Sequence, residues 1–212
     1  VFGVKDAYLN SDADFHTTVS KMANIPRDQA KTINLGLFYG MGKAKLQAEL
    51  GVSKDKAEEL FAIYHQRVPF VKTLMKSVSN RAQQRGQIRT LLGRLCRFHL
   101  WEPNRFGINK ALPFEQAVQE HGQGNIRRAY TYKALNKLIQ GSAADMTKKS
   151  MLDLYKEGII AHIQIHDELD LSVESPEQAK KVVEIMENAV KLDVPNKVDY
   201  ESGKNWGDIY DK

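Results

Sequence analysis

The chain has 212 residues, 31 Lys+Arg against 26 Asp+Glu, a net charge of +5 and an isoelectric point near 9.1. That length allows a real core in one or two units, and the mild basicity suits a polyanionic partner without identifying one. A single cysteine, Cys96, excludes a disulfide framework and a cysteine zinc cluster; no signal peptide is visible, and no apolar stretch nears the ~18 residues of a membrane span.

From the N-terminus, Asp14 suits the cap of a short helix over 14–24. Pro26 opens a helix over about 26–39 that Gly40 and Gly42 close. At about 100° per residue, Arg27, Lys31, Leu35 and Tyr39 drift only about 40° per step. They form one stripe of two cations, a leucine and an aromatic ring. Arginine offers a bidentate fork and lysine a point charge, both suited to a polyphosphate, and tyrosine offers a face for a base. The plain alternative is a solvated basic face on a helix whose core side is Ile33, Leu37 and Phe38. Further helices are expected at 43–50, at 54–66 after Ser53, and from Pro69 to about Gly86. Ile88 to Leu92 and Leu95 to His99 read as a strand pair turned at Gly93-Arg94. Residues 101–113, with Pro103, Gly107 and Pro113, read as a loop. A helical stretch is expected over 114–139, resuming over 142–157 after a break near Gly141. Within it Asn136 and Gln140 stand one turn apart.

Residues 163–173 read Ile-Gln-Ile-His-Asp-Glu-Leu-Asp-Leu-Ser-Val. Alternation puts Ile163 and Ile165 on one face, and likewise Leu169, Leu171 and Val173, so 159–173 reads as a hairpin of half-buried strands. Adjacent carboxylates at its tip, Asp167 and Glu168 after His166, repel unless a divalent cation offsets them. Taken alone, the tripeptide fits an ordinary solvated turn at least as well. A helix from Pro176 to about Lys191 and a strand over 197–202 complete the chain.

The hairpin and the basic stripe together resemble the family A DNA polymerases. His166-Asp167-Glu168 is similar to the family's palm motif, and Arg27-x3-Lys31-x7-Tyr39-Gly40 to its fingers helix. In the same order, Asp14-Phe15-His16-Thr17 resembles its Asp-x-His-x element and Thr90-Leu91-Leu92-Gly93-Arg94 its Thr-Leu-x-Gly-Arg turn. Asn136 through Gln140-Gly141-Ser142-Ala143-Ala144-Asp145 resembles its Asn-x3-Gln-Gly-Thr-Ala-Ala-Asp helix, and Val198-Asp199-Tyr200-Glu201 with Asn205-Trp206 its closing strand and tail.

The resemblance implies an α+β, mostly helical fold: the fingers helices plus part of the antiparallel palm sheet of a right-hand polymerase. Residues 1–85 would be fingers, and 86–212 the rest of the fingers and a partial palm. It implies a DNA-directed DNA polymerase that adds deoxynucleoside triphosphates to the 3′ end of primer-template DNA by two-metal transfer, with Mg2+ as cofactor. Asp167 would be the metal ligand with Glu168 close by. Lys31 would hold the triphosphate and protonate the departing pyrophosphate, Arg27 would grip the terminal phosphate, and His16 would add a contact. Leu35 stands where the family commonly places Phe or Tyr against the incoming sugar. Tyr39 would cap the nascent pair, with Gly40 beside it in the DNA-contacting set. Asn136 and Gln140 would test pair geometry from the minor groove, where every pair shows an acceptor. His166 would meet the primer end, and an ordinary turn histidine remains an equal alternative. Arg127 and Arg128, with Lys133 and Lys137, would hold backbone phosphates unless they are merely solvated.

The departures carry their own expectation. The family's other palm aspartate lies on a strand ahead of the Asp-x-His element, and nothing in residues 1–15 resembles that strand. A split or truncated polymerase is therefore expected, with a second polypeptide carrying the missing palm strand, the thumb and any exonuclease. Two alternatives stay open: a catalytically silent DNA-binding or structural fragment, and a piece of a single-subunit RNA polymerase. No membrane role is expected, and the resemblance implies the cytoplasm of a bacterial or phage-infected cell.

Overall fold

The computed structural model describes Leu9, His16, Thr17, Ser20 and residues 25–105, 107 and 109–210. Asp14 and most of the helix expected over 14–24 lie outside them. From His16 on, the described residues fall into two units that divide between Ser142 and Ala143.

The first unit opens with four helices: α1 (Arg27–Phe38), α2 (Lys43–Leu50), α3 (Lys54–Arg67) and α4 (Pro69–Arg85). Each boundary has a local cause. Ser53 Oγ accepts from the Lys56 amide at 3.2 Å and caps α3. Pro69 starts α4 at a position that needs no amide proton, and Gly86, left-handed at φ +66, ends it. The helices close over Ala30, Ile33, Leu37, Leu46, Leu60, Tyr64, Val68 and Val71. Burial pushes the Tyr64 hydroxyl up to about 12. Burial, and then the charge of Lys72, holds His65 below its ordinary value.

A second cluster of Val78, Ala82, Ile88, Phe98, Ala134 and Leu135 lies under the first ribbon, β1 (Gln87–Arg89) and β2 (Leu95–Arg97), and Phe38 packs on both clusters. Residues 101–113 are not all loop. β3 (Trp101–Pro103) pairs antiparallel with β4 (Ile126–Arg128), and Trp101 also bridges Leu112. Nor is 114–139 one helical stretch. After α5 (Phe114–His121), Gly122 at φ +80 ends the helix, and a 3-10 turn (Gln123–Asn125), β4 and a second 3-10 turn (Thr131–Lys133) follow. In the other direction, α6 (Ala134–Lys156) runs unbroken through Gly141. That glycine serves close approach: a Cβ on it would stand 2.8 Å from Thr90 Cγ2.

The second unit holds the rest of α6, the hairpin β5 (Ile163–Ile165) and β6 (Glu168–Asp170), α7 (Pro176–Asn188) and a final turn, α8 (Gly207–Tyr210). Ser175 Oγ caps α7 by accepting from the Gln178 amide at 3.2 Å. The core is Leu154, Ile159 and Val182, with Leu169, Leu171, Ile185 and Met186 packed on it. Residues 197–202 form no strand; the Val198 amide instead donates to Glu187 Oε1 at 3.1 Å. The described chain is thus α+β and mostly helical, with three separate two-stranded antiparallel ribbons.

Candidate functional site

The stripe on α1 exists as a surface. Arg27, Lys31 and Leu35 are exposed and Tyr39 half-buried, while Ala30, Ile33, Asn34 and Leu37 line the buried side. Lys31 makes no hydrogen bond or ion pair among the described residues, so its ammonium is available to an anion. His16, half-buried, pairs through Nδ1 with the Asn34 Nδ2 amide at 3.0 Å. Asn34 is 3% exposed and one turn from Lys31. This anchor escaped the sequence reading, although its signal was there: a polar residue between Ile33 and Leu37 on an apolar face.

At the end of α1, Gly40 takes φ +85 and its amide donates to the Leu37 carbonyl at 3.1 Å, while Met41 N–H donates to Gly36 at 2.8 Å. The helix stops there, and Tyr39 projects from its last turn. Gln140 Nε2 donates to the Tyr39 hydroxyl at 2.9 Å across 101 residues of sequence. Asn136 is half-buried and Gln140 exposed, on one side of α6. Two motifs far apart in sequence also meet here. Arg94 donates to the Gly141 carbonyl at 2.8 Å, and the Leu91 amide to Ser142 Oγ at 2.9 Å. The Thr90–Arg94 turn thereby fixes the segment of α6 that follows Gln140.

Arg127 and Arg128 are engaged within the protein. Arg127 Nε donates to Glu102 at 2.9 Å. Arg128 donates to the Phe98 carbonyl at 2.9 Å, and its guanidinium lies 4.5 Å from the Trp101 ring centroid. Lys137 lies over the Phe98 ring at 5.1 Å.

The hairpin pairs Ile165 with Glu168, which leaves His166 and Asp167 as its two-residue turn. His166 takes φ +54, and its Nδ1 lies 3.0 Å from Asp167 Oδ1. Both side chains are largely exposed. Opposite residues of an antiparallel pair share a face, so Ile163, Ile165, Glu168 and Asp170 form one face, and Gln164 and Leu169 the other. The expected half-buried strands are met only on the leucine side. Leu169 and Leu171 pack on the core, whereas Ile163 is 46% and Ile165 38% exposed, on the face they share with Asp170 and Glu168.

No group of three or more His, Cys, Asp or Glu side chains gathers at metal-holding distance among the described residues. Magnesium, however, is commonly held by one or two carboxylates, with water and substrate phosphates completing the shell. Asp167 at the open tip, with Glu168 beside it, fits that smaller requirement.

A sequence profile of DNA polymerase family A matches residues 5–208. The chain is 33% identical to a DNA-directed DNA polymerase of Pseudomonas phage M6 over 96% of its own length and 32% of that protein. It is 35% identical to DNA polymerase I of Bacillus caldotenax over 93% of its own length and 22% of that protein. Among solved structures it resembles the POL domain of Pol1 from M. smegmatis in complex with DNA primer-template and dNTP, with a TM-score of 0.69 and 28% identity over 91% of this chain and 34% of that one. The chain thus spans about a third or less of the relatives it matches.

Proposed function

Because this chain belongs to DNA polymerase family A, we propose that it is the fingers and part of the palm of a template-directed DNA polymerase. Residues 1–85 are read as fingers and 86–212 as the remaining fingers and partial palm. The polymerase extends the 3′ end of primer-template DNA with deoxynucleoside triphosphates. The observation that carries this reading is the stripe of exposed Arg27, Lys31 and Leu35 and half-buried Tyr39, tied through Tyr39 to Gln140. It joins a polyphosphate cradle to a group able to probe a base pair. The relatives are named DNA polymerases, which favours deoxynucleotides over ribonucleotides.

In this reading Arg27 and Lys31 grip the triphosphate, and Lys31 donates a proton to the departing pyrophosphate. His16, positioned by Asn34, adds a phosphate contact. Leu35 meets the sugar, and Tyr39 with Gly40 meets the nascent pair. Asn136 and Gln140 donate to minor-groove acceptors, which test pair shape without reading sequence. His166 meets the primer end. Bound magnesium would make the primer hydroxyl more acidic and neutralise charge developing on the triphosphate; Asp167 would hold it with Glu168 adjacent. The protein's share is positioning and charge stabilisation. Arg127, 44% exposed and bonded to Glu102 through Nε, would reach backbone phosphates with its terminal nitrogens, and Arg128 by giving up its bond to Phe98.

The exposed Ile163 and Ile165 face supports a further part of the reading. A strand from outside residues 1–212 pairs with the open edge of this hairpin and brings the second palm carboxylate; it comes from a second polypeptide that also carries the thumb and any exonuclease, or from the rest of a longer chain. The expected setting is the cytoplasm of a bacterial or phage-infected cell. Bacterial and phage relatives support it, and no helix among the described residues is long and apolar enough to cross a membrane.

Primer extension tests the reading. The chain, supplied with a polypeptide bearing the missing palm strand, is expected to extend a primer in magnesium, and Asp167→Asn to lower the rate by at least about 100-fold, the scale for a removed charge-stabilising group. Primer-template binding without extension under any complementation would favour the silent-fragment alternative. Extension by the unaided chain would remove the second polypeptide.

A further inference from the structure

The turn between β4 and α6 carries, beside Lys133, two tyrosines that none of the roles above uses. Tyr130 is 39% and Tyr132 63% exposed. Lys133 Nζ stands 5.3 Å from the Tyr130 ring centroid and 5.6 Å from that of Tyr132, so one ammonium serves two rings. Tyr130 takes φ +62, a left-handed conformation rare for a bulky residue. The surroundings enforce it. Ala129, 1% exposed, donates its amide to the Leu100 carbonyl at 2.8 Å, and the Thr131 and Gln83 side chains are hydrogen-bonded at 3.2 Å. Ala134 is fully buried on the far side. Two rings that a core would ordinarily absorb are held outward by buried neighbours, at a conformational cost.

Tyr132 precedes Asn136 and Gln140 by one and two turns, and Gln140 bonds Tyr39. An aromatic and polar track therefore runs from this turn to the end of α1. Two exposed cations lie along it: Lys133 in the same turn and Lys137 next to Asn136.

We propose that Tyr130, Lys133 and Tyr132 form a stacking platform for unpaired bases of single-stranded DNA, additional to the groove contacts of Asn136 and Gln140. The platform rests on the polymerase reading above. Exposed rings take any base, because every base has a π-face, while the shared ammonium and its neighbours meet the phosphates. Bases inside a duplex offer no free face, so the platform selects a single strand.

The test uses the whole chain and fluorescein-labelled DNA at fixed salt, followed by anisotropy, with a 2-aminopurine base in the single strand to report stacking. The wild type is expected to bind both forms and to quench the 2-aminopurine. Tyr132→Ala should weaken single-strand binding about 5- to 150-fold, the range of one base–aromatic stack, abolish the quench and leave blunt-duplex binding within about twofold. Tyr132→Phe should behave as wild type, and an unchanged thermal melt of both variants shows that folding is intact. Single-strand binding by Tyr132→Ala equal to wild type, an equal loss on duplex, or tighter binding of RNA than of DNA each overturns the platform. A wild type that binds duplex but gives no quench overturns it while leaving the polymerase reading standing. A wild type that binds neither duplex nor single strand overturns both.

Discussion

Leu35 sits between Lys31 and Tyr39 with 45% of its surface exposed, so its side chain is presented to whatever those two residues hold. An aromatic residue with a hydroxyl at this place could replace the hydrogen bond lost when a nucleotide lacks its 3′-OH; leucine has no polar atom to do so. One hydrogen bond is worth about 1 kcal/mol net. The reconstituted enzyme is therefore expected to prefer deoxy- over dideoxynucleotides by about fivefold or more. Competition between the two in primer extension measures the ratio, and near-equal use would contradict the assignment. At the same scale, Asn34 shows why a contact can be read late. Its position on an apolar face was visible in the sequence, but its partner His16 lies 18 residues away, and no local pattern links them.

The elements most legible in the sequence were those with local start and stop chemistry. Helices α1 to α4 follow from Pro26, Ser53, Pro69, Gly40 and Gly86, each acting within a turn of its own position. The stripe of α1 follows from spacing alone. The misread elements turn on glycine and on distant pairing. Gly122 ends a helix and Gly141 does not, because only the latter meets Thr90 and Arg94. β3 is a strand only because Ile126–Arg128 lies alongside it. Which hairpin face is buried was also illegible, since both strands alternate and the choice lies with Leu154, Ile159 and Val182. The role of Gly141 is testable. Alanine would gain about 1 kcal/mol of helix propensity, but its Cβ would press on the Cγ2 of buried Thr90 at 2.8 Å. Overpacking costs typically 1–3 kcal/mol; at about 2 kcal/mol, the middle of that range, the net loss is about 1 kcal/mol, and Gly141→Ala is expected to lower the melting temperature by about 2–4 °C. A calorimetric melt at or above the wild-type temperature would show that the Thr90–Arg94 turn yields freely.

On the scale of the whole molecule, two units of unlike completeness share one chain. The first has layered cores beneath its helices and ribbons. In the second, a small core holds one face of a hairpin and leaves Ile163 and Ile165 to solvent. A two-stranded ribbon with three residues a side is marginal in water without further cover. Its amides should open far more readily than those of α6 around buried Leu154, and deuterium uptake followed by mass spectrometry is expected to label 163–170 before α6 and α7. Slow labelling of that segment in the isolated chain would mean that the ribbon is already braced. The same measurement turns an exposed face into a reporter: a polypeptide that docks on it retards deuterium uptake at the Ile163–Asp170 pair, whether or not the assembly can synthesise DNA.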